Sequence, residues 1–104
     1  MIVYNVTVNI DDEIHDDWVN WMKNIHIPDV LRTGCFIESR FTRVMVDEEK
    51  GTTYSIQYLC ESDDKLNYYA DNFAAKLQKD VRDRYDGKFT AFRVMLDVLD
   101  VIKP

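Results

Sequence analysis

The stretch MIVYNVTVNI, residues 1–10, alternates apolar and polar side chains. Every even position from Ile2 to Ile10 is apolar, and Asn5, Thr7 and Asn9 lie between the later ones. A period of two predicts a β-strand that is buried on one face only. We therefore expect the fold to contain a sheet with one covered face.

The next residues change from strand spacing to helical spacing. Asp11 or Asp12 offers a carboxylate that can accept the unpaired N–H groups of a first helical turn. Apolar side chains then recur on one side of a helix, at Ile14, Trp18, Trp21, Met22 and Ile25. Pro28 lacks a backbone donor and biases Ile27 away from helical geometry, so we expect this helix to end near His26. Pro28 suits the first position of a new short helical turn, and Gly34 suits the left-handed position just past its end.

Two further strands follow. Residues 35–46 are rich in β-forming side chains and predict a second strand, although their alternation is imperfect. A polar loop at residues 47–51 ends in a glycine, which suits a hairpin connection. Alternation returns over residues 54–60 and predicts a third strand that pairs with the second.

A second helix and a last strand complete the chain. Ser62 is suited to cap the helix, and an apolar stripe over residues 66–81 predicts its length. Phe92, Val94 and Leu96 then recur at every second position and predict a fourth strand. No repeat or low-complexity segment interrupts the sequence, so we expect a single domain over residues 1–104.

The order strand, helix, strand, strand, helix, strand predicts an α+β fold of the ferredoxin-like βαββαβ type. In that arrangement two helices cover one face of a four-stranded antiparallel sheet. The expected helix-facing residues are Tyr4, Val6, Val8, Tyr54, Ile56, Tyr58, Phe92, Val94 and Leu96. The expected residues of the open face are Asn5, Thr7, Glu38, Arg40, Thr42, Thr53, Ser55, Gln57, Arg93, Met95 and Asp97.

Composition excludes several functions. Thirteen basic and nineteen acidic residues give a net charge of −6, which disfavours nucleic acid because phosphate binding depends on clustered cations. Cys35 and Cys60 lack the spacing of a zinc or redox pair, and the three glycines never form a phosphate-binding loop. We therefore expect no metal and no cofactor. No apolar run is long enough to cross a bilayer and no targeting segment is recognisable, so a cytoplasmic location is the default expectation.

One stretch carries a family resemblance. The aromatic helix with Trp21, the triplet His26-Ile27-Pro28, and the run from Val30 to Phe36 before a strand resemble the dimeric α+β barrel superfamily. More narrowly, the chain resembles a small bacterial family known only as a domain of unknown function. The superfamily includes cofactor-independent oxygenases, haem-degrading enzymes and proteins without known catalysis. The resemblance implies a homodimer formed through the open sheet faces, with a cavity that His26, Arg40 and Arg93 line or close.

The candidate ligand-binding residues each have a structural alternative. His26 is a possible general base, but a histidine at a helix C-terminus often bonds the last carbonyl groups instead. Trp21 either contacts an aromatic ligand or fills the core. Arg40 and Arg93 either clamp a carboxylate from the open face or pair with acidic residues of their own strands. Asn5 is the remaining candidate, on the open face.

The sequence predicts a homodimeric small-molecule-binding domain whose pocket lies between or beside the open sheet faces. An alternative is a cofactor-independent oxygenase that uses His26 to deprotonate a phenolic or enolic substrate. A third possibility is a protein-interaction module that uses the exposed sheet.

Overall fold

The computed structural model describes residues 1–104 and contains one antiparallel sheet of four strands. The strands are β1 (Ile2–Ile10), β2 (Glu38–Arg43), β3 (Thr52–Cys60) and β4 (Phe89–Asp97), in the spatial order β2-β3-β1-β4. Both central strands have antiparallel partners on each side. This topology confirms the predicted ferredoxin-like α+β fold.

Two helical segments join the strands. The first combines α1 (His15–Trp21), a wide π-helical turn (Met22–His26) and α2 (Ile27–Arg32). The second combines α3 (Asp63–Asn72) and α4 (Ala74–Tyr85), which are separated at Phe73. Ser62 caps α3 as predicted, because its hydroxyl accepts a hydrogen bond from the Lys65 N–H at 3.3 Å.

The first helical segment does not end near His26, and the prediction of a break there was wrong. Ile27 has helical dihedral angles of −60° and −45°, although Pro28 follows it. The wide turn explains this outcome, since the Ile27 N–H bonds the carbonyl of Met22, five residues earlier. The extra residue in the turn lets the helix continue past a proline and turns Ile25 outwards, where it is 48% exposed.

Other boundaries also differ from the predicted ones. Asp11 occupies the residue before the short 3₁₀ turn Asp12–Ile14, but its side chain makes no capping hydrogen bond. Strand β2 begins at Glu38 rather than Cys35, since Cys35 and Phe36 belong to the buried core next to α2. Strand β2 also ends earlier than predicted, at Arg43, so the loop between β2 and β3 is longer and spans residues 44–51.

The register of β4 reverses one predicted face. Arg93 lies opposite Val6 and Met95 lies opposite Tyr4, so both point towards the helices. Phe92, Val94 and Leu96 therefore lie on the open face, against the prediction. Alternation reports that one side of a strand is apolar, and it does not report which layer covers that side.

The core fills the space between the sheet and the helices. The helix-facing residues predicted for β1 and β3 are confirmed there, with Ile56 only 1% exposed. Trp18 is also 1% exposed and packs edge-on against Phe41 at a centroid distance of 5.5 Å. On the opposite side of the sheet, the three apolar residues of β4 remain exposed.

Candidate functional site

A cavity of about 50 Å³ lies between the sheet and the helices. Its inner wall is buried, whereas Gln78, Val81, Phe89 and Ala91 are half-buried, Arg93 is exposed, and these residues form a mouth between α4 and β4. Most lining residues are apolar, and no aspartate or glutamate is among them. The residues that line it are Tyr4, Val6, Val8, Trp18, Met22, His26, Val30, Ile56, Tyr58, Tyr69, Leu77, Gln78, Val81, Phe89, Ala91 and Arg93.

His26 is the buried polar residue of this cavity. The residue is 8% exposed, and its Nδ1 atom is buried without a hydrogen-bond partner. The predicted structural role is not observed, because the His26 side chain makes no capping bond at the end of a helix. Buried polar atoms without partners are rare in folded proteins and call for an explanation.

Burial makes His26 a weak base. Desolvation lowers its pKa from 6.5 to about 4, while the negative charges of Asp29 and Asp80 act in the opposite direction. The positive charge of Arg93 lowers the His26 pKa further. The imidazole is therefore neutral near pH 7 and can either accept or donate a hydrogen bond, depending on its tautomer.

Aromatic packing holds His26 in place. Trp21 stacks on the imidazole with a centroid distance of 5.0 Å and an interplanar angle of 23°. Tyr85 packs edge-on against Trp21 at 5.5 Å, and its hydroxyl donates a hydrogen bond to the Asp17 carboxylate at 2.7 Å. The Arg84 guanidinium lies 5.6 Å from the Trp21 ring. Trp21 thus supports His26 from behind and does not line the cavity.

Arg93 provides the positive charge of the site. Its Nε donates a hydrogen bond to the Tyr4 hydroxyl at 3.0 Å. Tyr4 itself is buried, with its ring 5.8 Å from that of Tyr69 and 6.0 Å from that of Tyr58. Arg93 and these three phenols therefore bring several hydrogen-bond donors to one side of the cavity.

Tyr58 and Tyr69 stay protonated at any physiological pH. Burial raises the pKa of both phenols above the ordinary value, and the other tyrosines of the cluster raise it further. The positive charge of Arg93 acts in the opposite direction on the pKa of both phenols. Each phenol consequently keeps a proton that it can donate.

The structure separates the predicted site residues into two groups. His26 and Arg93 meet at the helix-side cavity. Arg40 and Asn5 lie on the open face, so Arg40 and Arg93 cannot form the clamp considered from the sequence. Arg40 instead lies 3.6 Å from Glu38 in its own strand, as the ion-pair interpretation had it, whereas Arg93 has no such partner. Asn5 accepts a hydrogen bond from the Ser55 hydroxyl at 2.6 Å.

Sequence reasoning missed the tyrosine cluster. Tyr4 and Tyr58 were assigned to the helix-facing side only as core residues, and Tyr69 only as part of a helix stripe. A signal was present, because a buried tyrosine needs a partner for its hydroxyl, and two of the three share the helix-facing side of the sheet. No group of three or more histidine, cysteine, aspartate or glutamate side chains is arranged to hold a metal ion.

Comparison with protein families gives a clear assignment. The family described as "Domain of unknown function (DUF4286)" matches residues 1–99. The chain belongs to this family. Among curated proteins, none matches the DUF4286 chain. Its helices do not include one with the length and apolar character needed to span a bilayer.

Solved structures share the fold of this DUF4286 chain at low sequence identity. A dimeric ferredoxin-like protein from an uncultured marine organism has a TM-score of 0.72 and 9% identity, covering 99% of this chain and 98% of that one. SnoaB, a cofactor-independent oxygenase from Streptomyces nogalater, has a TM-score of 0.69 and 9% identity, with the same coverage. A monooxygenase from Streptomyces coelicolor in complex with nanaomycin D has a TM-score of 0.64 and 18% identity, covering 99% of this chain and 91% of that one.

Proposed function

We propose that this chain is a homodimeric domain that binds one small, mainly apolar molecule in each protomer's helix-side cavity. The observation that carries the proposal is the buried, unpartnered Nδ1 of His26 in a cavity with otherwise mainly apolar walls. An apolar lining with a few convergent polar groups and a residue of shifted pKa is the chemistry typical of a ligand site. The sequence predicted a pocket between or beside the open sheet faces, whereas the proposed site lies on the helix side of the sheet.

The size of the cavity limits how the ligand enters. A volume of about 50 Å³ accommodates only a few water molecules. A larger ligand must displace side chains at the mouth, where Gln78 is half-buried and Arg93 is exposed. Residues on the buried wall, such as Ile56 and Trp18, have no comparable freedom. Entry therefore takes place between α4 and β4.

A blocking variant tests the cavity as a binding site. Ala91 lies at the mouth, and Ala91→Leu would fill it without removing any polar group. Ala75→Leu on the exposed side of α4 is the matched control. We expect neutral probes such as benzamide and indole to shift the ¹⁵N signals of the His26 ring in the wild-type protein and in Ala75→Leu. In Ala91→Leu, at least about ten times more probe should be needed to produce the same shifts.

Two results would contradict the binding proposal. One is the absence of any probe-dependent shift in the wild-type protein up to millimolar concentration. The other is an equal response of Ala91→Leu and Ala75→Leu, which would place the probes elsewhere. Light scattering coupled to size-exclusion chromatography tests the dimer separately, and a monomer at all micromolar concentrations would remove that part of the proposal.

A second candidate is proton abstraction by His26. The unpaired Nδ1 favours it, and the oxygenase neighbour described as cofactor-independent has the same fold. Against it stands the His26 pKa of about 4, because a general base works best when its pKa lies near the working pH. Binding therefore ranks ahead of catalysis.

Deuterium exchange separates the two candidates. A catalytic base should accelerate exchange of the acidic C–H protons of a simple ketone, such as phenylacetone, with solvent deuterium. His26→Gln should then lose roughly 10²-fold or more of that acceleration. If the wild-type protein binds ketones but leaves the exchange rate at its solution value, the binding proposal stands alone.

A further inference from the structure

Arg93 carries a charge that no protein group neutralises. The ion pairs of the molecule involve other cations, and none includes Arg93. Its one side-chain hydrogen bond goes to a neutral phenol, Tyr4. A guanidinium has five N–H donors, so four remain for another partner. Its planar fork matches the two oxygens of a carboxylate.

The groups around Arg93 all favour an acceptor. Tyr58 and Tyr69 keep their protons because burial raises their pKa. The Tyr4 hydroxyl accepts from Arg93 and so has its own proton to donate. The lining contains no acidic side chain that would compete for these donors. A ligand that only donates hydrogen bonds would leave this end of the cavity unsatisfied.

We infer that the ligand is a small monovalent acid, an apolar molecule whose carboxylate or enolate oxygen lies against the Arg93 guanidinium and the Tyr4 hydroxyl. This inference rests on the proposed binding function and adds the chemical class of the ligand. The apolar body lies among Val8, Ile56 and Leu77, deeper in the cavity. A single anionic group fits, because one guanidinium neutralises one charge and the chain's net charge of −6 repels more highly charged molecules.

His26 adds an uncharged polar group to the site. A neutral imidazole places no second cation beside Arg93, and it can bond a carbonyl or hydroxyl group of the ligand body through whichever tautomer fits. The site thus combines one permanent cation with neutral donors. A monoanionic carboxylate with an apolar body satisfies both parts.

Pairs of isosteric probes test the charge directly. The probes are acetate with acetamide, benzoate with benzamide, and 1-naphthoate with 1-naphthamide, so each pair differs in charge and hardly in shape. Affinity is measured by calorimetry and by the His26 ring signals for the wild type, Arg93→Met and Arg40→Met. Arg40→Met is the matched control because Arg40 lies on the opposite face of the sheet.

We expect the wild type and Arg40→Met to bind at least one acid about tenfold or more tightly than its amide. Arg93→Met should lose that preference, so that each acid binds no more tightly than its amide. Equal affinities for acid and amide in the wild type, or an unchanged preference in Arg93→Met, would overturn the inference while the binding function stands. If neither member of any pair binds, the binding function itself fails and the inference fails with it.

Discussion

At the scale of single residues, the position of His26 depends on one extra residue in a helical turn. In regular helical spacing, Ile25 continues the apolar stripe of Trp18 and Trp21. The π-helical turn leaves Ile25 exposed and buries His26 beside Trp21. π-bulges occur frequently at functional sites, and here the bulge brings a titratable ring into the cavity.

The low pKa of His26 makes folding stability depend on pH. The unfolded chain binds a proton at this residue below about pH 6.5, whereas the folded protein binds it only below about pH 4. Stability is therefore fully present above pH 6.5 and falls by about 1.4 kcal/mol per pH unit as the pH decreases towards 4. Asp29, Asp80 and Arg93 modify the folded-state pKa.

His26→Gln should remove this component, because glutamine has no proton to gain. Urea unfolding at several pH values between 7 and 4 gives the free energy of unfolding of both proteins. The carboxylate titrations contribute equally to both and cancel when the two are subtracted. We expect the variant to lose less stability than the wild type across this interval, by roughly 3 kcal/mol. Parallel pH profiles for the two proteins, or a His26 ring that titrates near pH 6.5 by NMR, would show that the ring is hydrated in the folded state.

The sequence predicted this site only in part. It selected His26 and Arg93 as candidates, and both line the cavity. The family resemblance grouped them with Arg40 around a cavity at the open sheet faces, whereas they meet on the helix side of the sheet, where the widened turn and the register of β4 place them. The tyrosines were hidden because a large aromatic residue on a covered strand face is ordinarily read as core.

At the scale of elements, the loop between β2 and β3 requires glycine at position 51. Gly51 has a φ angle of +72°, and a Cβ atom there would lie 2.6 Å from the Ile10 carbonyl oxygen. Gly34, after α2, has a similar φ angle of +76° but open space around it. An alanine at position 34 therefore introduces backbone strain alone, whereas an alanine at position 51 adds a steric clash with the end of β1.

Gly34→Ala should cost about 1 kcal/mol, from the left-handed backbone alone. Gly51→Ala should cost roughly 2 kcal/mol or more, because the clash involves backbone atoms that cannot rotate away. Chemical denaturation of both variants gives the comparison. Equal losses would mean that the β2–β3 loop moves freely away from β1 when a methyl group is added.

Strand β4 shows what alternation can and cannot determine. The pattern located the strand correctly, since Phe92, Val94 and Leu96 all lie within β4 (Phe89–Asp97). It assigned the wrong face because Phe92, Val94 and Leu96 are more apolar than Arg93 and Met95. The assumption behind that assignment was that the more apolar side faces the helices, and at β4 the more apolar side is the open face.

At the scale of the whole molecule, the exposed apolar side of β4 favours association. Phe92 is 61% exposed, Leu96 46% and Val94 40%, and all three lie on the open face. Soluble monomers rarely leave a contiguous apolar patch of this kind uncovered. A second copy offers the same patch, and twofold symmetry would place the two in contact.

Val94→Glu should weaken the proposed dimer, because the contact would bury a carboxylate that has no partner. We expect its dissociation constant to rise at least about a hundredfold. Ile25→Glu places the same charge on an exposed apolar residue of the helical layer and should leave the dimer unchanged. Sedimentation velocity over the micromolar range measures both variants beside the wild type. Dissociation by Ile25→Glu and not by Val94→Glu would assign the contact to the helices and leave the open sheet face without a partner.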